Sequence, residues 1–354
     1  MKRFICFVLA LVIIFCNIMA SATDNTVVDV MTDTAEYVYK TVQNPGVSSI
    51  GGEWTIIGLS RSGADIPREY YDNYYSNVET YVTQKAGKLH RVKYTEYSRV
   101  IIALTAIGKD PTNVAGYNLL YPLADYEKTV WQGVNGSAWA LIALDSGDYE
   151  IPYNAEAEIQ ATREMYVEHI VNSQMPSGGW SLAGDSVDAD ITAMALIALA
   201  NYRQSENVEQ AICRALLCMS ELQSENGGFL SGGTETSESC AQMICALCTL
   251  GIGLDDFRFV KNGNTVLSNL ITYYTDGEGF RHTHDGNGVD FMSSEQALCS
   301  LAAIYRAQEG YSSLYNIREK KADLIETDVR DASRILQRIK FRIQLGVNYE
   351  KAYK

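Results

Sequence analysis

Six stretches of this sequence repeat one pattern: a polar start that runs into a helix apolar on nearly every side. They span Ile50 to Leu59, Thr95 to Leu104, Asn135 to Leu144, Asp190 to Leu199, Glu238 to Leu247 and Glu295 to Ile304. Their last positions fall between 40 and 57 residues apart, room for one further helix and two loops in each unit. A helix apolar all round belongs in an interior, and a one-sided helix belongs outside it. One-sided patterns fill the intervals. Val27, Met31, Ala35, Val38 and Val42 step by three and four residues, and similar stretches run from Arg68 to Lys85, Ala155 to Gln174, Asn207 to Gln223 and Asn264 to Tyr274. The third outer stretch, Ala115 to Trp131, is interrupted by Pro122. The repeat predicts an all-α fold of six helical hairpins closed into a ring, because each hairpin can bury its apolar face only against its neighbours.

The junction from outer to inner helix carries the sharpest signature. Gln174, Gly178 and Trp180 share with Gln223, Gly227 and Phe229 the spacing Gln-x3-Gly-x-aromatic. Tyr274 to Phe280 repeats it without the Gln, and Gln43 with Gly51, Gly52 and Trp54 is a looser first copy. Glycine past a helix end supplies a positive φ, and the aromatic ring covers the exposed terminus.

This element resembles the QW motif of squalene-hopene and oxidosqualene cyclases. Their α/α toroid also serves protein prenyltransferase β subunits, transcobalamin-like proteins and complement thioester domains. The phrases Ile50 to Leu59, Lys93 to Arg99 and Trp131 to Gly136 look like a group of exported toroid proteins of Gram-positive bacteria. The resemblance implies an (α/α)6 toroid over residues 23–315. In Asp188-Ala-Asp190-Ile-Thr192-Ala it further implies a likeness to the Asp-x-Asp-Asp-Thr-Ala motif of class II cyclases, whose middle Asp, matched by Asp190, donates the proton that starts cyclisation. Ile191 stands where that motif has its last Asp.

In such a ring the inner helices begin at one mouth. That places Thr95, Glu96, Asn135, Asp190, Glu238 and Glu295, with Trp54, around a shared acidic cavity as ligand-binding candidates. Two readings stand side by side: polar residues at helix starts serve as caps, and carboxyls gathered at one opening serve as a site. The catalytic candidates are Asp190, Asp188, Glu238 and Glu295, since a pair of carboxyls can give and take protons. The first functional reading is an exported protein that binds a ligand, glycan or protein at this mouth. The alternative is an enzyme, either a diverged class II cyclase using Asp190 or a glycan-active hydrolase. The tyrosines at 70, 71, 74 and 75 suit either sugar stacking or helix packing.

No metal or cofactor is expected. Cys245-x-x-Cys248 has no second pair, and Glu238-Ser-Cys240 resembles half of a prenyltransferase zinc site whose His is missing between Asp290 and Ser294. His282 and His284 alternate along a loop and are expected to face solvent. Asp285 to Asp290 reads as a turn more readily than as a calcium loop. Ser294 stands where a thioester protein has its reactive Cys, and nothing after Tyr315 resembles the β-rich domain that helps hold cobalamin.

Lys2 and Arg3, the apolar run Phe4 to Phe15 and Ala20-Ser21-Ala22 read as a secretory signal peptide over residues 1–22, so a secreted or cell-wall location is expected. The six cysteines beyond it, at 213, 218, 240, 245, 248 and 299, lie in helical apolar patterns and are expected to act as small buried hydrophobes. Thr23 to Ile317 carries 17 Lys/Arg against 37 Asp/Glu, a net of −20, which repels nucleic acid and anionic membrane surfaces. From Arg318 the balance reverses to ten against six. Val329, Ala332, Leu336, Ile339 and Ile343 make the tail, 316–354, an amphipathic helix suited to docking on the toroid or to self-association.

Overall fold

The computed structural model describes residues 27–318. The expected signal peptide and the amphipathic stripe of the tail lie outside the described residues. The inner helices are α2 (Trp54–Ser62), α4 (Thr95–Ala106), α6 (Val134–Ser146), α8 (Ala189–Leu199), α10 (Ser237–Leu250) and α12 (Phe291–Glu309). The outer ones are α1 (27–41), α3 (Arg68–Gln84), α5 (Tyr126–Val130), α7 (Arg163–Asn172), α9 (Glu206–Leu222) and α11 (Val266–Ile271). Each inner helix packs on the next, and α12 packs back on α2, so the ring is closed. Three ribbons of two-residue strands decorate the later junctions: β1 (Leu230–Ser231) with β2 (Thr234–Glu235), β3 (Val260–Lys261) with β4 (Asn264–Thr265), and β5 (Tyr274–Thr275) with β6 (Gly279–Phe280).

The glutamines of the repeated junction explain how one hairpin grips the next. Gln174 Nε2 donates to the carbonyls of Gly178 (2.6 Å) and of Ala211 in the following outer helix (2.8 Å). Gln223 Nε2 donates to the carbonyls of Gly227 (2.8 Å) and of Phe259 (3.0 Å), which lies in the turn Phe257–Phe259 ahead of the following outer helix. Trp180 Nε1 donates to the Ile170 carbonyl at 2.7 Å, a second bond to an acceptor in the last turn of α7 that also takes the Ser173 N–H. Gln43 differs, since its amide bonds the Tyr39 and Lys40 carbonyls of its own helix.

Several expected boundaries shift for local reasons. Pro122 lies in a tight turn, Tyr121–Ala124, and the third outer helix is reduced to five residues. Residues 155–162 are loop rather than helix, because Ala161 N–H pairs with the Ala124 carbonyl and Gln160 accepts from Asn154 N–H. Tyr70 and Tyr74 are buried packing residues of α3, and Tyr70 donates to the Val42 carbonyl at 2.8 Å. Four thiols are buried as expected, at 218, 240, 245 and 299, whereas Cys213 is exposed and Cys248 is half-buried.

The end of the ring opposite the mouth is shut by the chain itself. After α12, residues 312–318 cross beneath the inner helices. Arg61 donates to the carbonyls of Ser313, Leu314 and Asn316, and Ile317 N–H reaches Ser146 at the end of α6. Leu314 and Tyr315 are buried, and the Tyr315 ring meets Trp139 edge-on at 5.9 Å.

Candidate functional site

Four inner helices present the same register to the axis. α6, α8, α10 and α12 follow the capping positions Gly133, Asp188, Thr236 and Asp290. The second and sixth residues beyond those caps are Asn135 and Trp139, Asp190 and Met194, Glu238 and Gln242, and Met292 and Gln296. All eight line one cavity of about 400 Å³, joined by Trp54, Arg99, Thr236 and His282 among others. Residues four apart share a helix face, so each helix contributes a rim residue and a deeper one. Trp54 and Trp139 meet edge-on at 5.2 Å, and Tyr315 closes the axis beyond Trp139. The cavity is therefore blind.

The polar chemistry concentrates on α8 and α10. Burial pushes the Asp190 carboxyl up to about 6, with the Asp188 and Glu238 charges adding to the rise and a hydrogen bond from Ser239 opposing it. Its Oδ1 has no partner, nor have Asn135 Oδ1 and Gln242 Oε1. Gln242 is only 6% exposed. Three acceptors left without donors around one cavity need a ligand or water to satisfy them. Glu238 is fully engaged: it accepts from Ser293 Oγ at 2.5 Å and Ser237 Oγ at 3.2 Å, and both its oxygens lie 2.9 to 3.0 Å from His282 Nδ1. The His282 carbonyl accepts from Ser237 N–H, which fixes this loop over α10.

Asn135, Asp190, Glu238 and Trp54 are thus brought together as expected. The other candidates are not. Asp188 spends its Oδ1 on the N–H groups of Asp190 and Ile191, a pure cap. Thr95 is buried with its N–H on Gln132, and neither it nor Glu96 reaches the cavity; Arg99, one turn further along α4, does. Glu295 turns into the wall, where Oε2 accepts from Gly51 N–H at 3.1 Å and Thr55 Oγ at 2.8 Å. Burial pushes its carboxyl up to about 7. Sequence alignment sets Glu295 beside Glu238, but the caps set Met292 there. A slip of three residues turns a helix by about 300°, so in a helix apolar all round it hardly changes the pattern.

The opening is consequently mixed rather than a ring of acids. Two carboxyls face Arg99, three amides, two methionines and two tryptophans. Behind it Glu53 is buried, accepts from Ser48 N–H at 3.1 Å and stands 3.6 Å from Arg99. Burial outweighs that guanidinium and lifts the Glu53 carboxyl to about 8. Sequence reasoning missed Arg99, Trp139, Gln242 and His282. The first three lie one helical turn beyond Thr95, Asn135 and Glu238, so stepping four residues along each helix finds them. His282 leaves no such signal. Half-exposed on its loop, it was expected to face solvent; the fold brings it 44 positions along the chain onto Glu238. His284 is exposed, as expected, and stacks on Tyr273 at 4.0 Å. Asp290 caps α12, and Gly286 N–H closes a turn on Thr283, so Asp285 to Asp290 is a turn.

No protein-family model matches the chain, and no curated protein matches its sequence. Among solved structures, the chain is similar to the unsaturated glucuronyl hydrolase of Bacillus sp. GL1, with a TM-score of 0.52 at 13% identity over 82% of this chain and 98% of that one. That enzyme is described as responsible for the degradation of glycosaminoglycan. The likeness supports the α/α toroid, and nothing in it points to terpene cyclases.

Proposed function

We propose that the protein is an exported, glycan-active hydrolase whose blind cavity holds a saccharide. The observation that carries this reading is the pair Asp190 and Glu238, set at equivalent positions of adjacent helices in opposite surroundings. Asp190 is desolvated and keeps one oxygen unpartnered, which suits a carboxyl that donates its proton to a glycosidic oxygen. Glu238 is an acceptor for two serine hydroxyls and orients His282, which suits the group that activates water or faces the developing positive charge. The tryptophans at 54 and 139 offer apolar faces to a sugar ring, and the amides of Asn135, Gln242 and Gln296 offer partners for its hydroxyls. The glycan-degrading neighbour of similar fold agrees with this assignment. Terpene cyclisation by Asp190 fits less well, because a hydrocarbon would leave three buried acceptors unpaired.

The test is turnover on a panel of oligosaccharides, followed by reducing-end release. Asp190→Asn is expected to lower kcat by at least about a hundredfold with the thermal midpoint held near that of the parent. The acidic group should also appear in the pH profile: kcat falls as pH rises through about 6, where Asp190 loses its proton. Saccharide binding without turnover in the parent protein would leave a binding protein and sink the hydrolase.

A further inference from the structure

The saccharide contacts described above leave Arg99 unused. Among the described residues it is the sole Lys or Arg that lines the cavity, its side chain is only 17% exposed, and its Nε has no hydrogen-bond partner. Glu53 Oε2, at 3.6 Å from that nitrogen, stands outside hydrogen-bonding range. Nor does Glu53 cancel the charge, since burial lifts its carboxyl to about 8 and so keeps it largely protonated near neutral pH. A guanidinium withdrawn from water needs acceptors, and charged ones serve it best. Its place on the ring matters as well. In ring order α4 lies across from α10, so Arg99 and Glu238 stand on opposite walls, and α6 with Asn135 falls between Arg99 and Asp190.

We propose that the cavity takes an anionic saccharide, whose acidic group, a carboxylate or a sulfate ester, docks on Arg99 while its glycosidic oxygen faces Asp190. The proposal rests on the saccharide reading of this cavity. A neutral sugar offers the guanidinium only hydroxyl acceptors. An anion offers charge-assisted bonds, roughly twice as strong, and a carboxylate matches the planar fork with two parallel bonds. The same polarity fixes direction, because an acidic group turned the other way meets Asp190 and Glu238 and is repelled. The acidic body slows the approach of an anion but does not govern the contact, since exposed charges are screened beyond about 8 Å in physiological salt.

Calorimetric titration with D-glucose, D-glucuronate and D-glucose 6-sulfate at one ionic strength tests the idea. At least one of the two anionic sugars is expected to bind at least about tenfold tighter than glucose. Tighter glucuronate assigns a carboxylate and tighter glucose 6-sulfate a sulfate ester, and either supports the proposal. Arg99→Gln should abolish the gain, and it leaves Glu53 as a neutral acid rather than a stranded charge. Arg99→Lys, which keeps the charge without the fork, should reduce the gain, and Glu53→Gln, which keeps the guanidinium, should retain it. A gain unchanged in both Arg99 variants, or lost in Glu53→Gln, overturns the proposal. Equal affinity for all three sugars overturns the anionic group and leaves the saccharide pocket standing. Acetate or inorganic sulfate that binds as tightly as the sugar bearing the same group makes Arg99 an anion site without a sugar and defeats the proposal. Binding of no sugar removes the saccharide reading and this inference with it.

Discussion

Asp190 and Glu295 are both carboxyls near the start of an inner helix, yet one faces the cavity and the other is sealed in the wall. Glu295 holds the turn before α2 through Gly51 N–H and Thr55, and Glu53 holds the same turn through Ser48 N–H. Both have carboxyls raised above their ordinary value of 4.5, to about 7 and about 8. The folded chain therefore keeps protons that the unfolded chain gives up, and stability is greatest below about 4.5 as far as these groups go. It declines as pH rises through about 7 and 8. Thermal melts at pH 5 and pH 8 should differ by several degrees in that sense, and Glu53→Gln with Glu295→Gln should narrow the difference. Glu295→Ala at neutral pH leaves Gly51 N–H and Thr55 without their acceptor and is expected to cost on the order of 1–3 kcal/mol by denaturant unfolding. In the candidate site, His282→Gln tests whether the imidazole acts through Glu238. A change in the pH profile of kcat supports this, and a fall in stability alone does not.

At the scale of elements, the junction motif was legible because its chemistry is local. Glycine and aromatic positions can be read from spacing, and the structure gives Gly227 a φ of +86° as that reading requires. A Cβ added there would stand 2.5 Å from the Thr265 carbonyl oxygen, so Gly227→Ala is expected to cost roughly 1–3 kcal/mol in denaturant unfolding. The partners of Gln174 and Gln223 in the next hairpin were not legible, because Ala211 and Phe259 lie 36 to 37 positions away. Gln223→Ala should destabilise by about 1–3 kcal/mol, since it strands two carbonyls, whereas Gln43→Ala should stay within about 0.5 kcal/mol at its exposed helix end. The register of α12 marks the limit of periodicity. A capping residue, Asp290, fixes where that helix starts, and an apolar repeat does not.

For the whole molecule, closure at one end turns a ring into a vessel. Tyr315 is buried beneath Trp139, and Tyr315→Ala is expected to cost about 3–5 kcal/mol and to change tryptophan emission, measured by thermal melting followed through fluorescence. Hydrophobic periodicity and helix-start chemistry act within one turn or one hairpin, and they were enough to place the six hairpins, their closure into a ring, the buried and exposed helix sets, and the meeting of Asn135, Asp190 and Glu238 with Trp54. It took packing in three dimensions to turn Glu295 into the wall, to bring His282 onto Glu238 and to lay residues 312–318 across the far end. Those outcomes depend on rotation of a helix about its axis and on contacts between distant segments. A side chain at the right height on a helix lines the cavity or leaves it by a turn of 100°, and packing against neighbours sets that angle.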